Sequence, residues 1–120
     1  MAHICDAIVV TCIDFRFQKY IREWTDQNLK DKTFDLMGFA GSTKDLETVL
    51  KQIDISVRLH HIKEVYLIHH EECGAYGEES TPERHEQDLK KAEKEVLSKY
   101  PHLNVTLYYL HLDGRFESIQ

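Results

Sequence analysis

Apolar residues recur along this chain in two alternating rhythms. Strand-length runs of β-branched and aromatic residues are separated by stretches whose apolar positions return at helical spacing. Ile8 to Ile13 is a nearly continuous run, as expected of a parallel strand covered on both faces, and predicts the first strand. Phe17, Tyr20, Ile21 and Trp24 then form one apolar stripe on a helix of about four turns. Phe34 to Met37 predicts a second strand, and Gly38 and Gly41 bracket a tight turn. Ser42 is the expected N-cap of a helix that continues to about His60, with Leu46, Val49, Leu50, Ile53 and Val57 on its core face. Glu64 to His70 predicts the third strand, and Gly74 and Gly77 mark a loop after it. Ser80 and Glu83 form the pattern of a capping box for a charged helix from about Pro82 to Lys99, which buries Leu89, Ala92, Val96 and Tyr100. Val105 to Leu112 predicts the fourth strand, Asp113-Gly114 a turn, and Arg115 to Ile119 is compatible with an antiparallel edge strand.

This alternation predicts one α/β domain over residues 1–120. The expected architecture is a three-layer α/β/α sandwich around a mostly parallel four-stranded sheet of order 2-1-3-4, with right-handed crossovers. In such folds ligands gather beyond the carboxyl ends of the strands, where strand order reverses.

Composition narrows the classes of partner. With 42% hydrophobic and 30% charged residues the chain suits a globular fold. No run approaches the roughly 20 apolar residues of a membrane span, and no basic-then-apolar leader begins the chain, so neither anchor nor signal peptide is expected and the cytoplasm is the default location. Fifteen basic and 21 acidic residues leave a net charge of -6, which argues against nucleic acid as a partner. Cys5, Cys12 and Cys73 are odd in number and widely separated, the usage of reduced thiols rather than of a disulfide framework.

Cys12 stands at the end of the first predicted strand, and "HHEECG" at the end of the third brings His70 and Cys73 in an H-x-x-C spacing. If those strands are neighbours, two thiolates and an imidazole converge on one point. That donor set suits Zn²⁺, and a catalytic zinc takes three protein ligands and leaves a fourth position open. Each residue alone has an ordinary structural reading, a small buried hydrophobe or a hydrogen-bonded strand end. Cys5 has an odd offset from Cys12 and reads as a structural cysteine. Asp14 and Arg16 share a side with Cys12 if the extended path continues. A guanidinium holding that carboxylate by two hydrogen bonds keeps it ionised and off the metal, free to accept a hydrogen bond from bound water.

"CIDFR", Cys12 to Arg16, with "HEECG", His70 to Gly74, resembles the C-x-D-x-R and H-x-x-C-G signature of the β-class carbonic anhydrases. "GFAGS", Gly38 to Ser42, is similar to that family's Ala-Gly turn, and "YYLHLDGRF" to its closing strand and turn. The resemblance implies a doubly wound homodimer or higher homo-oligomer that hydrates CO₂ to bicarbonate and a proton. Zinc would be held by Cys12, His70 and Cys73 and supply hydroxide, while Asp14, oriented by Arg16, accepts its hydrogen bond. Phe15, Phe39, Ala40, Gly41 and Tyr76 are candidates for the apolar wall facing CO₂. Glu71 and Glu72 read as a solvated loop face, His69 as packed or hydrogen-bonded opposite His70, and His69 or His85 as the alternatives for a proton shuttle.

Two other readings stay open: hydrolysis of CO₂-like molecules such as carbonyl sulfide or carbon disulfide on the same zinc, or a non-catalytic zinc-binding module. An Arg-held carboxylate beside an open position favours an enzyme. A cysteine phosphatase is excluded, since the position six beyond Cys12, where it needs arginine, is Gln18.

Overall fold

Five consecutive buried residues, "AIVVT", make the centre of the sheet. The computed structural model describes residues 3–120. Its strands are β1 (Ala7–Thr11), β2 (Phe34–Gly38), β3 (Glu64–His70), β4 (Asn104–Leu110) and β5 (Phe116–Ile119). Its helices are α1 (Gln18–Asn28), α2 (Leu46–His60) and α3 (Pro82–Lys99), and Phe15–Phe17 and Gly77–Glu79 form 3₁₀ turns. The sheet runs β2-β1-β3-β4-β5. Its first four strands are parallel, and β5 is antiparallel to β4, as the hydrophobic pattern leads one to expect.

The two faces are covered unequally. Phe17, Ile21 and Trp24 from the α1 side pack on Val9, Tyr66, Ile68 and Tyr108. On the other face Val49 and Ile53 of α2 and Leu89, Ala92 and Val96 of α3 close over Ile8, Val10, Val65, Leu67 and Leu107. Because β1 is flanked by β2 and β3, chain order reverses beside β1, and α1 and α2 diverge to opposite faces there. That opens the crevice beyond the ends of β1 and β3.

Several boundaries differ from the sequence expectation, each for a local reason. β1 stops at Thr11, where its carbonyl accepts the Phe39 N–H at 2.9 Å. The Asp14 carboxylate then accepts the Arg16 N–H at 2.9 Å and turns the chain into a 3₁₀ turn, so the extended path does not continue to Arg16. α2 begins at Leu46, capped by Asp45 through Thr48 N–H at 3.2 Å, whereas Ser42 sits in a left-handed turn at φ 56°. Thr81, not Ser80, caps α3. β4 ends at Leu110, and the turn that follows carries Gly114 at φ 92° against the Tyr20 ring of α1.

A Cβ at Gly114 would stand 2.6 Å from a Tyr20 ring carbon. Gly114→Ala is therefore expected to destabilise the fold by about 1–3 kcal/mol. Urea unfolding should show a lower midpoint at unchanged slope, and an unchanged midpoint would contradict this contact.

Candidate metal centre

Parallel pairing of β1 with β3, with Val10 opposite Leu67, sets their carboxyl ends side by side. Cys12 follows one end, His70 closes the other, and Cys73 returns three residues later through a turn in which Glu72 takes φ 55°. Left-handed geometry thus falls on Glu72, not on Gly74. The two sulfurs and an imidazole nitrogen lie within 4.8 Å of one another, and all three residues are buried. Cys12 Sγ and Cys73 Sγ are 4.0 Å apart. Gly41, at φ 82°, aims its N–H at Cys12 Sγ across 3.4 Å. A side chain there would press on Lys44 and Ala75, so only glycine brings that donor in.

The tautomer of His70 is set by its neighbour. Nδ1 lies 2.7 Å from the Glu71 carbonyl, which can only accept, so Nδ1 carries the proton and Nε2 a bare lone pair. Nε2 is buried without a hydrogen-bond partner and lies 3.8 Å from Asp14 Oδ2. Phe17 stacks on the ring at 4.2 Å and fixes its plane. The Cys73 thiol's hydrogen bond, aided by the Gly41 N–H, holds Cys12 well below the usual thiol range against the cost of burial. The Cys12 thiolate and burial push Cys73 up in turn. Two thiols sharing one proton beside an orphaned imidazole lone pair are a donor set that fits a divalent cation, which would replace that proton.

Arg16 grips Asp14 through Nη2–Oδ2 at 2.8 Å and Nε–Oδ1 at 3.2 Å, and these hydrogen bonds hold the carboxyl below its usual range. The guanidinium also donates to the Glu72 carbonyl at 2.8 Å and to Glu72 Oε1 at 3.3 Å, tying the β1 exit to the Cys73 loop. Glu71 Oε1 accepts the Leu112 N–H at 2.8 Å. Glu72 faces solvent as expected and Glu71 is half-buried, and both also fasten the loop.

A cleft of about 380 Å³ opens over this point, lined by Cys12, Ile13, Asp14, Phe15, Ala40, Gly74 and Ala75. Phe15 and Ala40 were expected there; Phe39, Gly41 and Tyr76 are not among its lining residues. Tyr76 is buried against Cys12 and Cys73, its hydroxyl bonded to Asp88 and its ring against His69 and His85. Ile13, Gly74 and Ala75 escaped sequence reasoning because the turns that aim them are not periodic.

Behind Cys73 runs a buried chain that sequence also did not reveal. Thr43 N–H and Oγ1 meet His69 Nε2 at 3.4 and 2.7 Å. His69 Nδ1 meets His85 Nδ1 at 2.8 Å, and His85 Nε2 meets Ser80 Oγ at 2.9 Å. Ser80 Oγ also accepts the Cys73 N–H at 2.9 Å. The Thr43 N–H makes His69 Nε2 an acceptor, so each imidazole donates in turn towards Ser80. Burial lowers His69 to about 3 and His85 to about 4, so both are neutral near pH 7 and their hydrogen bonds hold the loop.

A doubly wound sheet with two cysteines and a histidine gathered beyond adjacent strand ends has the architecture of the β-carbonic anhydrases. The carbonic anhydrase of Streptococcus mutans superposes with a TM-score of 0.73 over 99% of this chain and 84% of that one, at 15% identity. β-Carbonic anhydrase isoform I of Trichomonas vaginalis gives 0.68 over 98% and 84%, at 16% identity. The chain belongs to the family described as "Putative carbonic anhydrase", which matches residues 2–120. It is also 30% identical to uncharacterized proteins of Rickettsia bellii and Rickettsia conorii, covering 93% of this chain and 80% and 70% of theirs.

The depressed histidines imply a pH dependence whose sign is fixed. Between their folded values, about 3 and 4, and the unfolded value of about 6.5, the unfolded chain binds more protons, so stability falls as pH drops through that window. Imidazole NMR should show His69 and His85 neutral from pH 8 to 5. A titration midpoint above 6 for either would contradict the chain of bonds.

Proposed function

We propose that this chain hydrates CO₂ reversibly to bicarbonate and a proton at a zinc ion held by Cys12, His70 and Cys73. The observation that carries the reading is the buried, unpartnered Nε2 of His70 facing two thiols, with an Arg-held carboxylate 3.8 Å away. Membership of the carbonic anhydrase family supports it. Zinc supplies Lewis acidity that lowers the pKa of a bound water to about 7.

The chain's own residues do the rest. The Glu71 carbonyl keeps His70 in the tautomer that presents Nε2. Asp14, ionised and held by Arg16, accepts a hydrogen bond from the attacking water and aims its oxygen lone pair. Because the guanidinium bonds both carboxylate oxygens, Asp14 would be held back from ligating the metal itself. CO₂ has no charge to be gripped, and the cleft offers it Ile13, Phe15, Ala40 and Ala75. The proposal includes a second copy of the chain. Ile13 and Phe15 stand 62% and 86% exposed at the cleft, and Leu36 is 61% exposed on the edge strand β2, an apolar surface that a homodimer would cover.

Cys12→Ser, His70→Ala and Cys73→Ser are each expected to lose zinc from this site, measured by mass spectrometry of folded protein. Full occupancy in all three would refute the ligand set. Arg16→Ala is expected to retain zinc and lose about 10–100-fold in kcat/KM for CO₂ hydration by stopped flow. An unchanged rate would refute the orienting role of the pair, and carbonyl sulfide turned over faster than CO₂ would move the activity to that substrate.

A further inference from the structure

On the opposite edge of the molecule the fold assembles a second mixed donor set. Cys5, in the segment before β1, Asp35 on the edge strand β2 and His60 at the last position of α2 place a sulfur, a carboxylate oxygen and an imidazole nitrogen within 4.8 Å of one another. Their approach is built into the backbone. The Cys5 N–H donates to the His60 carbonyl at 3.0 Å, and Asp35 pairs in register with Ile8 of β1. His60 Nδ1 lies 2.7 Å from Asp35 Oδ2, and the nearly buried Ser56 hydroxyl donates to the same oxygen at 2.6 Å. A cleft of about 200 Å³ lined by Asp35, Ser56 and His60, among others, gives solvent access to the carboxylate and imidazole.

Cys5 reads from sequence as a structural thiol, yet the hydrogen bond its sulfur makes to the Ala7 carbonyl is a long one, 3.5 Å. Burial and the Asp35 charge push the thiol up, by more than its backbone hydrogen bonds compensate. A divalent cation supplies that compensation.

We propose that Cys5, Asp35 and His60 form a second metal site, distinct from the Cys12–His70–Cys73 centre, that takes a borderline divalent transition metal such as Zn²⁺ and completes its shell with water. One thiolate, one imidazole and one carboxylate are donors this class of ion accepts. A tetrahedral ion holds such donors about 3.3 to 3.6 Å apart, so His60 Nδ1 and Asp35 Oδ2, now 2.7 Å apart, need to part by less than an ångström, and the sulfur, within 4.8 Å of both, to draw in. On binding, the thiol proton leaves to solvent and the imidazole proton passes from Nδ1 to Nε2, with Ser56 still bonded to the carboxylate as an outer partner. The ion staples the chain before β1 to the edge strand and to the end of α2. Its role is to stabilise, and the CO₂ chemistry does not depend on it.

The test is the zinc and cobalt stoichiometry of the full-length protein, dialysed against buffered free metal. Wild type is expected to bind two ions per chain. Cys5→Ser and His60→Gln should each bind one and hydrate CO₂ at the wild-type rate. In a Cys12→Ser/Cys73→Ser background one Co²⁺ should remain, with a thiolate-to-cobalt absorption band that disappears when Cys5→Ser is added. A single ion per wild-type chain, or two in both Cys5→Ser and His60→Gln, overturns the proposal. Failure of the first centre shows separately, as loss of the ion that depends on Cys12 and Cys73. Far-UV circular dichroism checks each variant's fold, and were neither single variant to fold, the wild-type stoichiometry alone decides.

Discussion

Everything in this molecule's chemistry depends on the parallel pairing of β1 with β3. Backbone hydrogen bonds along that ladder fix where both strands end, and the ends carry Cys12 and His70. β1 is buried along its whole length between α1 on one face and α2 and α3 on the other, so a one-residue slip would turn apolar side chains the wrong way on both sides. The core therefore sets the spacing of the donors, and no loop has to search for it.

Around that fixed pair, loops are fastened by side chains that bond to backbone. Arg16 reaches the Glu72 carbonyl, Glu71 takes the Leu112 N–H, and Ser80 takes the Cys73 N–H. Charge is divided between the two sides of the centre. On the solvent side stand the Asp14–Arg16 ion pair and Glu72, all partly exposed. On the core side stand Thr43, His69, His85 and Ser80, bonded end to end, with both imidazoles kept neutral by burial. A neutral network can be buried behind the two cysteines without adding charge to them.

Sequence carried the elements with strong periodicity and the donors placed at strand ends. The runs that became β1 and β3, the helical stripe Val49–Ile53, and the spacings of Cys12, His70 and Cys73 needed only local pattern to be read. What escaped was chosen by partners distant in the chain. Ser42 looks like the helix cap, and only the fold shows Asp45 capping α2, with Thr43 committed to His69. Ser80 likewise reads as a cap, but the fold commits it to Cys73 and His85, and Thr81 caps α3. Asp14 and Arg16 do pair, but through a 3₁₀ turn rather than along an extended strand. The cluster of Cys5, Asp35 and His60 joins residues separated by a strand, a helix and an edge, which no spacing rule connects.

The most direct test of the central claim is zinc-edge X-ray absorption on the Cys5→Ser variant loaded with one zinc per chain. The strand-end geometry predicts a first shell of two sulfurs at about 2.3 Å and one imidazole nitrogen at about 2.0 Å, with one further light atom from solvent. A shell with fewer than two sulfurs, or with no imidazole scattering, would contradict it.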